Sequence, residues 1–229
     1  MWLFTSSVGR KVVMSVTGLA LILFITFHMA MNLVAIFSAE GYNMVCEFLG
    51  ANWYALVATV ALAGLVFIHF AYAFWLTWLN RQARGNQRYA VTSKPKAVEW
   101  ASQNMFVLGL IVILGLLLHL FNFWFNMQFA EIMHKDLVDM GGGALIAPHD
   151  GAAFIAYTFS KVWYVVLYLV WLCALWFHLT HGFWSALQTL GWNNQIWIER
   201  WRVISYVYSS IIIGGFALVV VWFYVKSLL

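Results

Sequence analysis

Charge is what this chain has least of. Of its 229 residues only 12 are Lys or Arg and 8 are Asp or Glu, 9% together, where soluble domains carry about 25%. So thin a charged coat excludes a soluble globular domain. The net charge of +4 is gathered in links between apolar runs, so it reports topology rather than nucleic-acid binding. Cysteine is almost missing too. Cys46 and Cys173 stand far apart, and Cys173 lies within an apolar run, which excludes a disulfide framework and a CxxC metal site. No internal repeat is apparent.

In place of charge the chain carries apolar mass: 64% hydrophobic residues, with 14 Trp, 10 Tyr and 19 Phe. This composition predicts an all-α integral membrane protein, one helical domain over residues 1–229. A span needs about 20 mostly apolar residues, and five segments qualify: about 12–37, 53–79, 101–127, 162–190 and 203–225. Arg10 and Lys11 before the first run resemble a signal peptide, but the run is too long for one and no small-residue cleavage site follows. It is expected to be an uncleaved span. Nine of the 12 basic residues fall on one side: Arg10, Lys11, Arg81, Arg84, Arg88, Lys94, Lys96, Arg200 and Arg202. Lys135, Lys161 and Lys226 fall on the other. The positive-inside rule then puts the N-terminus in the cytoplasm and the C-terminus outside. The one long link, Gln128 to Lys161, is external; links of this length are usually functional or mobile, and it could cover a ligand site.

Acidic residues are absent from all five spans, yet four histidines lie inside them: His28, His69, His119 and His178. Ionisable or metal-binding groups in lipid-spanning helices usually mark function. His28 and His119 lie past the midpoints of outward-running spans; His69 and His178 lie past the midpoints of inward-running ones. They therefore sort into an outer pair and an inner pair, at levels roughly 10 Å apart by helical rise. Two bis-histidine haems require such an arrangement, each iron taking imidazoles from two helices. Gly64, Gly115 and Gly182 lie close to these histidines and could leave room for a flat ring, although glycine also serves ordinary close packing. His181 follows His178 by three residues on nearly the same face. Either could be the ligand, with depth favouring His178 slightly. His134 and His149 read as solvated loop residues. A histidine relay in a proton-coupled transporter is a competing reading, and the lack of acidic partners in the spans counts against it.

The order of these features resembles the cytochrome b membrane anchor of succinate:quinone oxidoreductases, in the single-subunit, five-helix, di-haem form of bacterial fumarate reductases and succinate:menaquinone reductases. The likeness covers essentially the whole chain. It rests on Ser6-Ser7-Val8-Gly9-Arg10-Lys11, on Thr17-Gly18 leading into His28, on one histidine in each of the first four spans, and on Phe177-His178 followed by Gly182 and Gly191-Trp192. The resemblance assigns His178 as the ligand and leaves His181 beside the inner haem. It implies two haems b in the bacterial inner membrane, with an iron–sulfur subunit and an FAD-bearing flavoprotein on the cytoplasmic face. A second copy of the whole complex is a further candidate partner. Arg10, Lys11 and the basic link 81–96 could dock the iron–sulfur subunit or meet haem propionates. Trp100 could donate to a propionate or belong to the aromatic belt.

The resemblance also implies menaquinol or menaquinone as substrate at the outer side, where quinol oxidation needs a proton acceptor. Glu47 is the first candidate and Glu40 the second. In some relatives a glutamate stands two residues before the fourth-span ligand; here that position is Trp176, so that carboxylate route is missing. The alternative within the class is the cytochrome b of a hydrogenase or formate dehydrogenase, where some helices supply two ligands. The direction of catalysis is not written in an anchor.

Overall fold

The computed structural model describes residues 2–84 and 99–229, apart from the side chains of Phe4 and Arg84. Five of its helices are long and apolar enough to cross a membrane, and the chain is an all-α, multi-pass membrane protein. A one-turn helix α1 (Trp2–Thr5) precedes α2 (Ser7–Phe37). The short α3 (Ala39–Phe48) leads to α4 (Trp53–Arg84), and after the undescribed link come α5 (Trp100–Gln103) and α6 (Met105–His119). A π-helical stretch, Leu120–Trp124, continues α6. Then follow α7 (Gln128–Ile132), the strand pair β1 (Val138–Asp139) and β2 (Leu145–Ile146), α8 (Gly151–Phe159), α9 (Val162–Thr189) and α10 (Trp197–Leu228).

The expected spans and the observed helices agree in number and order. Differences lie at the ends. The first span starts at Ser7 because the Ser6 hydroxyl accepts the Gly9 N–H at 2.9 Å, capping an otherwise unpaired donor. The fourth stops just before Gly191, whose φ of +84° suits glycine. There the Gly191 N–H reaches Gln188 O and the Trp192 N–H reaches Leu187 O, which closes the last turn by the 6→1 and 5→2 bonds of a Schellman motif. Asn194 Oδ1 accepts the N–H groups of Ile196 and Trp197, so α10 begins earlier than its hydropathy suggests.

Helix α9 lies at the centre, packed on α2, α6 and α10. Up-and-down order follows from side-chain contacts. Arg10 of α2 stands over Trp75 near the end of α4. Arg81 of α4 stands over Phe106 at the start of α6. Glu99 meets His181 near the end of α9 and Arg202 near the start of α10. One end of the bundle thus gathers Arg10, Arg81, Glu99 and Arg202; Arg88, Lys94 and Lys96 lie outside the described residues.

The opposite end is not an open loop. Gln128–Lys161 folds as a cap, with β1 antiparallel to β2 and Gly141, Gly142 and Gly143 all at positive φ between them. Asp150 caps α8 through Ala153 N–H and also accepts from Asn43 Nδ2 at 2.8 Å, while Asn43 Oδ1 takes the Ala152 N–H. Phe154, Ile155 and Thr158 of α8 are among the most buried residues of the chain. The sequence pattern placed this segment as a link; its polar turns hide a nine-residue helix that plugs the bundle.

Candidate functional site

The four span histidines meet in two pairs. His69 of α4 faces His178 of α9, ring centroids 6.3 Å apart. His28 of α2 faces His119 at the end of α6, centroids 5.7 Å apart. An iron about 2 Å from a nitrogen of each of two opposed imidazoles puts their centroids about 6 Å apart. Among the described residues no group of three or more His, Cys, Asp or Glu is placed to hold a metal ion. A bare zinc site wants about four protein ligands; a haem iron has four from its macrocycle and asks the protein for two. The residues therefore fit a bis-histidine haem and do not fit a bare ion.

Thr17, beside His69, and His28 stand 11 residues apart on α2; Gly109, beside His178, and His119 stand 10 apart on α6. Helical rise makes the two levels about 15 Å apart, more than the sequence offsets suggested.

At the level nearer the basic end, named inner after the expected orientation, Thr17 Oγ1 lies 3.1 Å from His69 Nδ1. Gly18 adjoins the same ring: a Cβ there would lie 3.3 Å from His69 Cε1. His178 Nδ1 is buried without a hydrogen-bond partner, as a ring nitrogen awaiting a ligand or second-shell group would be. His181, one turn on, turns elsewhere. Its Nδ1 is 3.4 Å from Glu99 Oε2, which also accepts from Trp184 Nε1. Of the two neighbouring histidines it is His178 that faces His69. Trp100 packs on Phe177 with ring centroids 5.1 Å apart and is otherwise exposed. Arg10 lies two turns before Thr17, over Trp75, at the basic end.

Aromatic walls dominate the outer level. Phe24 stacks on His28, and Phe216 lies 5.8 Å away. Phe123, Tyr168 and Trp171 surround His119. The π-helical stretch starts immediately after His119, and such bulges often sit at functional sites. It turns Asn122 inward, where its amide donates to Tyr168 OH at 3.2 Å. Gly115 does not leave a slot as expected: Trp171 occupies the space a Cβ would need, and its Nε1 donates to Val112 O. Gly64 and Gly182 do face open space. Trp176, at the position of the missing glutamate, donates to Ser210 Oγ and is committed to α10.

A polar thread leads from the outer pair into the cap. Asn32 Nδ2 lies 3.4 Å from His28 Nε2, Tyr42 OH donates to Asn32 Oδ1, and Tyr42 neighbours Cys46. Burial raises the Tyr42 phenol far above its usual range. Burial also pushes the Cys46 thiol up to about 11, reinforced by the nearby carboxylates of Glu131 and Asp150. Glu40 is exposed on the first turn of α3. Glu47 is exposed as well and lines a pocket of about 570 Å³ with Met44, Phe48, Asn52, Tyr54 and Glu131. Sequence reasoning missed Glu131, because it lies in the presumed loop. Its Oε2 accepts the Ala51 N–H at 2.7 Å, and the Gly50 site has no room for a Cβ beside it.

Compared with known proteins, the chain matches no family model, no curated protein and no solved structure.

Proposed function

We propose that this chain is a di-haem cytochrome b anchor of a fumarate reductase or succinate dehydrogenase complex, working between menaquinol or menaquinone and a cytoplasmic iron–sulfur subunit. One observation carries the reading: two histidine pairs, about 15 Å apart along the bundle, each spaced for one iron and neither joined by a third protein ligand among the described residues. His28 and His119 would hold the outer haem, His69 and His178 the inner. Haems held there would supply one-electron transfer between the two sides of the bilayer.

The remaining roles fall to the chain's own groups. The basic end, with Arg10, Arg81 and Arg202, is the cytoplasmic face by the positive-inside rule, where the iron–sulfur and flavoprotein subunits dock. The α3–α8 cap excludes water from the outer pair. Glu47 and Glu131 line the pocket at that end and accept quinol protons there. Two helices placing one histidine each at every level, with His181 turned to Glu99, favour this anchor over a cytochrome in which one helix supplies two ligands.

The test is spectroscopic. Purified protein should give a b-type α band on reduction and two haems per chain. Haem well below two per chain, or no such band, removes the reading. Co-purification of a flavoprotein and an iron–sulfur protein separates it from a hydrogenase or formate dehydrogenase cytochrome.

A further inference from the structure

We infer that Thr17 is the positioning residue of the inner site, fixing the tautomer of His69 so that Nε2 is left free for iron. The inference rests on the di-haem reading and adds to it the group that orients one ligand. The argument is one of counting protons. The Thr17 hydroxyl has a single hydrogen. Its oxygen lies 2.8 Å from Val13 O and 3.0 Å from Met14 O, so that hydrogen has a backbone acceptor and the oxygen's lone pairs are left for the ring. Toward His69 the oxygen has lone pairs alone. With Nε2 given to iron, the imidazole proton sits on Nδ1, and Thr17 is placed to accept it across the 3.1 Å contact. A neutral imidazole has one N–H, so Nε2 carries the lone pair. Thr17 is buried, 6% exposed, so bulk water does not compete for its hydroxyl.

Gly18 completes the seat. With a Cβ at that position only 3.3 Å from His69 Cε1, the ring rests almost against the α2 backbone. Hydroxyl and bare backbone together seat the ring against α2. Its partner has no such device: His178 Nδ1 has no hydrogen-bond partner, and Gly109 stands off at 3.9 Å. His69 is the fixed ligand of the inner pair and His178 the one that adapts to it.

A hydrogen-bond acceptor on Nδ1–H makes an axial imidazole a stronger donor, which favours ferric iron. Removing the acceptor should therefore raise the potential of that haem and spare the other. The experiment is redox titration of the whole chain with Thr17→Val, which keeps the shape and loses the hydroxyl, and Thr17→Ser, which keeps the hydroxyl. His69→Ala and His28→Ala identify which wave is inner. The expected result is an upward shift of the inner wave in Thr17→Val, with the outer wave unmoved and Thr17→Ser at the wild-type value. Loss of the inner haem alone in Thr17→Val, retained in Thr17→Ser, supports the same role. Unshifted waves, equal shifts of both waves, or loss of both haems in both variants overturn it while leaving the di-haem reading intact. Wild-type protein without haem b sinks that reading and this inference together.

Discussion

The inner and outer histidine pairs each set one imidazole against another, in unlike surroundings. His69 is gripped by a hydroxyl and a glycine of α2, close to an end where Glu99 and Arg202 bring charge. The outer pair is walled by Phe24, Phe123, Tyr168, Trp171 and Phe216 and shut in by a folded cap. Polar grip at one level and aromatic enclosure at the other imply that the two sites can be damaged separately. They also imply different tuning, since hydrogen bonding and burial are distinct levers on a haem.

The largest break should come from the ligands. His28→Ala or His119→Ala should remove the outer haem alone, and His69→Ala or His178→Ala the inner alone, each halving the haem content. His181→Ala should leave both in place, because that ring faces Glu99. Inner haem lost in His181→Ala and kept in His178→Ala would reverse the assignment on α9.

A smaller break should come from crowding. Gly115→Ala drives a methyl into the Trp171 indole, which stands against His119. Overpacking of this kind costs about 1–3 kcal/mol, so the melting temperature should fall and the outer haem spectrum should change first. Gly109→Ala is the control: its methyl would stand 3.9 Å from His178, ordinary contact, and both haems should persist. Equal damage from the two substitutions would show that the levels are not independent.

Cap variants test the enclosure. Asp150→Ala removes the cap of α8 and the bond to Asn43; loss of a helix cap costs about 1 kcal/mol. Proteolysis within 133–150 should quicken, and the outer haem should become more accessible to a small reductant, with the inner unaffected.

Period and composition reveal five helices because lipid demands long apolar runs and satisfied backbone. The histidine pairing was legible from depth, since alternate helices run in opposite directions. Contacts that depend on rotation about a helix axis were not. Nothing in the sequence says that Thr17 turns toward α4, that Trp171 fills the Gly115 gap, or that His181 turns to Glu99. The cap escaped for another reason. Its helix is short, bounded by glycine, proline and aspartate, and buried by contacts with α3, more than 100 positions earlier in the chain. Glu131 was hidden with it.

The finest probe of the comparison is the thiol at the outer end. Cys46 is held neutral chiefly by burial, its pKa pushed from 9.0 to about 11. Folding thus favours the protonated thiol. Its contribution to stability is complete below about pH 9 and is lost as pH rises through 11. Because the thiolate is the nucleophile, Cys46 at pH 8 should react with a maleimide roughly 100-fold more slowly than an ordinary thiol. In a Cys173→Ala background the rate should climb toward a midpoint near 11. Full reactivity at pH 8 in the unaltered cap would mean that the outer end is open to water, and the contrast between the two levels would lose its structural basis.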